Sequence, residues 1–138
     1  NSNYKCISCE ENIYYHEQIK RIFPKEFSSF VDFRHLERKE GEIKGMDCSY
    51  YANLPDLNYD YIFIDGPTFR KDIQSKKCFN SDLINIINQN KNTVINGIID
   101  QRILNYMTYK ELMPNADITY NVIKKSSDLS KALCQFKF

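Results

Sequence analysis

The apolar residues of this chain recur with two periods, and the switches between them predict its elements. Residues 4–9 are a short apolar-rich run that reads as a strand and stops at Glu10-Glu11. From Ile13 the spacing lengthens: Tyr15, Ile19, Ile22 and Phe23 fall on one helical face, with Asn12 as N-cap and Pro24 as the stop. Residues 30–33 predict a second strand closing at Arg34-His35. Residues 36–58 begin charged, carry Gly41 and Gly45, and later hold Tyr50-Tyr51; they read as a long loop, a kind of segment that is often functional. Then comes Tyr61–Ile64, an unbroken apolar run. Its lack of polar alternation suits a strand buried on both faces, hence central in a parallel sheet. Gly66 and Pro67 turn the chain there, which holds Asp65 at the strand's carboxyl end, where open α/β sheets place ligands and catalytic groups.

Further on, Leu83, Ile84, Ile86 and Ile87 predict a helix over 81–89. A strand over 93–99 ends at Asp100-Gln101-Arg102, and a helix over 103–113 is closed by Pro114. The last two apolar runs, 118–123 and 133–138, leave no room for a crossover helix and predict an antiparallel hairpin. The order β-α-β-loop-β-α-β-α-β-β predicts one α/β domain over residues 1–138. Its sheet is expected to be mostly parallel, with helices on both faces and a C-terminal antiparallel hairpin.

Composition narrows the function classes. A hydrophobic content of 42% with ten Tyr and nine Phe excludes a disordered chain. The 19 basic and 18 acidic residues nearly cancel, so bulk charge argues for neither nucleic acid nor an anionic membrane as partner. Five cysteines, an odd number without a framework, read as reduced thiols in a cytoplasmic protein. Cys6 and Cys9 have C-x-x-C spacing, but positions three apart on a strand point to opposite faces, so small buried hydrophobes are the expectation.

Two acids stand out as candidate chemistry. A carboxylate can accept hydrogen bonds from adjacent ribose hydroxyls, as in dinucleotide sites, and Glu10 closes a strand where such a ligand would lie. The plainer reading is a solvated acid near a helix N-terminus. Asp65 either sits at a site or caps its own turn through backbone N–H groups. Asp65 and Asp100 close two strands expected to lie side by side and could hold a divalent cation through oxygen ligands, though no metal is expected. His16 and His35 have no partner at ligand spacing and read as surface or capping residues. Neither a G-x-S-x-G elbow nor a phosphate-cradling glycine loop is present.

The strand order and the acids closing successive strands resemble the class I S-adenosylmethionine-dependent methyltransferases, which have a Rossmann-like fold. "KCISCEEN" looks like that family's second strand with Glu10 as its ribose-binding acid. "YDYIFIDGP" is similar to the fourth strand with Asp65 beside the methyl donor, and "TVINGIIDQR" looks like the fifth. The resemblance implies S-adenosylmethionine as cofactor, bound by Glu10, Leu36 and Asp65, with Leu36 near the adenine and Asp65 as the catalytic residue. It implies a small-molecule or glycan-type acceptor and leaves a homo-oligomer open. The family's first strand and Gly-rich turn have no counterpart here, which implies an N-terminally incomplete domain. Activity as a methyltransferase is expected only if that upstream motif exists. A non-catalytic or partner-binding α/β domain and a nicotinamide-dependent oxidoreductase fragment are the alternatives.

Overall fold

The first strand and helix form where the pattern places them. In the computed structural model, which describes residues 5–66, 79–90, 94–100, 103–114, 116, 118, 121–122 and 133–137, strand β1 is Cys6–Glu10 and helix α1 is Ile13–Ile22. Asn12 caps α1 by accepting from the Tyr14 amide at 2.9 Å, which satisfies one of the orphan donors of the first turn. Pro24 opens a short 3₁₀ segment, Lys25–Phe30, that leads into β2, Val31–His35. β1 and β2 pair in parallel, with Glu10 opposite His35. Phe23 packs edge-on against Phe33, ring centroids 5.0 Å apart.

The chain divides into two compact units: Asn1–Lys39 with Tyr51–Leu54, and Glu40–Tyr50 with Pro55–Phe138. β1, α1 and β2 belong to the first unit.

The stretch 36–58, expected as a loop, holds two strands: β3, Arg38–Ile43, and β4, Met46–Tyr51. Between them Lys44 and Gly45 both take positive φ, 50° and 79°, the two-residue turn whose twist matches flanking strands. β3 is built mostly of charged rather than apolar residues, a common trait of edge strands, so its sequence carries no hydrophobic signal. β4 also pairs in parallel with β6, the two-residue strand Phe79–Asn80. Gly41 lies close over Tyr50, where an added Cβ would stand 3.3 Å from the ring.

The second unit's other sheet has the order β5-β7-β9-β8, from strands Tyr61–Ile64, Asn96–Asp100, Leu133–Lys137 and Asn121–Val122. β5 and β7 are parallel, while β9 runs antiparallel to both β7 and β8. Helices α2, Asp82–Gln89, and α3, Ile103–Leu112, follow β6 and β7. The core of this unit gathers Phe79, Leu83, Ile86, Ile95, Ile99 and Tyr109, all nearly or fully buried.

This arrangement overturns the expected fold. Among the described residues the protein is a mixed α/β chain of three small sheets, most strands short, and not a Rossmann-like, mostly parallel sheet with helices on both faces. The reason lies in β5. Among the described residues it is the outermost strand of its sheet, and Tyr61 and Phe63 are 55% and 58% exposed while Ile64 is buried. An apolar run without polar alternation therefore marks a strand covered on one face only. The local Lys44-Gly45 hairpin also places residues that were expected to form a loop into a separate sheet.

Candidate functional site

The carboxyl ends of β1 and β2 bring several polar groups together within the first unit. Because the two strands are parallel and in register to their ends, Glu10 and His35 finish side by side and both connections leave on the same edge. The Leu36 amide donates to the Glu10 carbonyl at 3.1 Å, so two of the predicted cofactor-binding residues are neighbours. The Glu10 side chain, half-buried, turns back on its own loop: its Oε1 accepts from the Asn12 amide at 2.7 Å. Charge at this position also faces the amino end of α1, where negative charge is favoured.

Around these two residues the loops are tied down. His35 Nε2 stands 3.0 Å from the Glu11 carbonyl and donates to it in the tautomer protonated there. Arg38 Nε lies 3.2 Å from Glu11 Oε2 in a largely buried ion pair. Tyr51 donates its hydroxyl to the Cys9 carbonyl at 3.4 Å. The strand-end carboxylate is thus carried by a loop with fixed neighbours on three elements. Nothing in the hydrophobic pattern marked Arg38 or Tyr51, because both sit in the stretch expected to be a loop; the run of charges Arg38, Lys39, Glu40 and Glu42 was the available signal.

Asp65 is exposed at the carboxyl end of β5, in the second unit. Its strand neighbour β7 ends at Asp100, one residue past the Ile64–Ile99 pair. Glu10 and Leu36 belong to the first unit, so the predicted residues fall into two groups. Among the described residues no group of three His, Cys, Asp or Glu is placed to hold a metal ion. Cys6, Cys9 and Cys48 carry thiols rather than disulfides, and the other two cysteines lie outside the described side chains.

His16 departs from expectation. It is 6% exposed, not a surface residue, and its ring lies 5.8 Å from that of His35. The helical face expected to pack is instead turned outward: Tyr15 is 57% exposed, Ile19 40% and Ile22 73%. A polar residue occupies the buried stripe of α1, which periodicity of apolar residues cannot reveal.

A second polar cluster is buried in the second unit. Asn105 Oδ1 accepts from the Asn80 amide at 3.3 Å, Tyr109 donates its hydroxyl to the Asn80 carbonyl at 2.7 Å, and the Asn80 and Asp82 groups close a ring through bonds of 2.9 and 3.0 Å. These bonds fix β6 against α3 and serve packing.

The chain matches no protein-family model, and comparison with curated proteins and with solved structures returns no match. No helix among the described residues is long and apolar enough to cross a membrane.

Proposed function

We propose that this chain belongs to an S-adenosylmethionine-dependent methyltransferase acting in the cytoplasm on a small-molecule or glycan-type acceptor. The observation that carries the reading is the Leu36 amide bonded to the Glu10 carbonyl at the ends of two parallel strands. It sets an acid suited to ribose hydroxyls beside an apolar side chain suited to the edge of a purine.

The residues present fit the ribose end of the cofactor. Glu10 commits Oε1 to Asn12, and its carboxylate still has acceptor capacity for a hydroxyl. S-adenosylmethionine, when bound, supplies a methyl group activated on a sulfonium. Glu10 would hold and orient the ribose, and Leu36 would exclude water from one side of the base.

Calorimetric titration of the protein with S-adenosylmethionine, with NADH as a control nucleotide, tests the reading. Saturable binding of the former that is lost in Glu10→Ala supports it. Preference for NADH would move the chain to the oxidoreductase class, and binding of neither would remove nucleotide chemistry from this loop.

A further inference from the structure

One peptide group beside the candidate site is held at both ends. The Glu11 carbonyl and the Asn12 amide belong to the same peptide unit, which is planar and rigid. His35 Nε2 stands 3.0 Å from that carbonyl oxygen, and Glu10 Oε1 accepts from that amide at 2.7 Å. The His35 imidazole and the Glu10 carboxylate, which close neighbouring strands, are therefore linked through a single plane. Rotation of the plane would carry the Asn12 N–H away from Oε1, and a donor on the carbonyl resists that rotation. The same donor polarises the peptide, which strengthens its N–H toward Glu10.

The link lies where the strand ladder ends. β1 and β2 pair as far as Glu10 opposite His35, and the Leu36 amide then closes on the Glu10 carbonyl at 3.1 Å. The peptide between Glu11 and Asn12 comes next, past the last strand pair, and there a side chain does what a strand did before. His35 is placed for this at the end of β2, with its ring 5.8 Å from that of His16, buried on α1. The bond needs a proton on Nε2, since a ring protonated on Nδ1 alone would set two acceptors against each other. We propose that His35 is a positioning residue of the ribose site. Its Nε2–H holds the peptide plane, so that Oε1 of Glu10 stays on Asn12 and the rest of the carboxylate is presented to the ribose hydroxyls. This rests on the reading of Glu10 as the ribose-binding acid.

Calorimetric titration with S-adenosylmethionine tests this on the whole chain and on Glu10→Ala, His35→Ala, His35→Gln and the double variant Glu10→Ala/His35→Ala. His35 is exposed, so its replacement leaves the core intact. His35→Ala should weaken binding about fivefold, the scale of one neutral hydrogen bond. In the Glu10→Ala background the same change should have no further effect, because the positioning acts through Glu10. His35→Gln, whose side-chain amide can donate to the same carbonyl, should restore most of the affinity. Nitrogen NMR of the wild type should find the His35 ring protonated on Nε2. Equal weakening by His35→Ala in both backgrounds would overturn the proposal, since His35 would then act without Glu10. A ring protonated on Nδ1 alone, or full affinity in His35→Ala while Glu10→Ala weakens binding, would overturn it and leave the role of Glu10 intact. Absence of binding by the wild type would overturn the role of Glu10 and that of His35 with it.

Discussion

The Glu10 carboxylate and the Asn12 amide form a 2.7 Å hydrogen bond that binds a strand end to the start of a helix. Asn12 in turn caps α1 with its own side chain. The acid proposed to hold a ribose is therefore pre-oriented by the loop that carries it. Orientation set before binding lowers the ordering cost that a ligand must offset.

Replacing Glu10 separates the two roles. Glu10→Ala should weaken S-adenosylmethionine binding by about 1–3 kcal/mol, the range for losing hydrogen bonds to a charged group. Glu10→Gln keeps an oxygen for Asn12 but not the charge, and should cost less. Calorimetry on both variants reads the difference. Unchanged affinity in the alanine variant would take Glu10 out of the site.

The turn between β3 and β4 gives a prediction about the fold alone. Gly45 takes φ of 79°, and a Cβ there would meet nothing within 4 Å. The cost of Gly45→Ala is thus conformational rather than steric, about 1 kcal/mol for an L-residue in the left-handed region. Lys44, at φ 50°, already carries such a cost, so Lys44→Asn should stabilise by a few tenths of a kcal/mol, roughly, because Asn tolerates that region. Urea denaturation of the two variants should move the midpoint in opposite directions. A neutral Gly45→Ala would mean that the turn is not formed as described.

Buried polar groups in the second unit should be sensitive to small changes. Tyr109 is fully buried, and its hydroxyl bonds the Asn80 carbonyl at 2.7 Å. Tyr109→Phe keeps the ring and its edge-on contact with Phe79, but leaves that carbonyl without this donor. A loss of about 1–3 kcal/mol in unfolding free energy is expected from an acceptor left unsatisfied. Asn105 has a similar stake, since its Oδ1 receives the Asn80 amide while its Nδ2 has no partner among the described residues. Asn105→Leu, which removes the acceptor of the Asn80 amide, should therefore also lose about 1–3 kcal/mol. Unchanged stability in that variant would show that the Asn80 amide does not depend on this side chain.

Single elements, though not the fold, were legible where one residue type has one physical consequence. Asn12 before Ile13 and Pro24 after Phe23 bounded α1, and the apolar Leu83, Ile84, Ile86 and Ile87 marked α2. Legibility failed where burial depends on distant neighbours. Tyr61 and Phe63 look like core residues in sequence, yet their exposure depends on whether another element covers that face of β5. The same holds for Tyr15, Ile19 and Ile22 on α1. β3 was missed for the opposite reason: backbone pairing and a tight turn hold a charged strand whose side chains carry no apolar period. At the candidate site, Glu10 and Leu36 were visible as strand-end residues, whereas the ion pair between Arg38 and Glu11 was not.

Acid stability depends in part on Asp32, on the first unit's β2. Arg34 donates to Asp32 Oδ2 from both Nε and Nη2, at 3.0 and 2.8 Å, and Lys5 lies 3.6 Å away. The hydrogen bonds from Arg34, opposed by desolvation and aided by the charges of Arg34 and Lys5, hold the Asp32 carboxyl below its ordinary value of 3.8. A carboxyl whose pKa is lowered on folding contributes stability above its unfolded pKa and loses it as pH falls through the folded one. The contribution should thus be present at neutral pH, begin to fade near 3.8, and vanish below the folded value. Denaturation midpoints for the wild type should therefore fall more steeply with acid than those of Asp32→Asn, the two curves converging once the carboxyl is protonated. Added salt should shrink the gap at neutral pH, because these groups are partly exposed and screened. Parallel curves through the acid range would mean that Arg34 and Lys5 do not hold Asp32 in the folded protein.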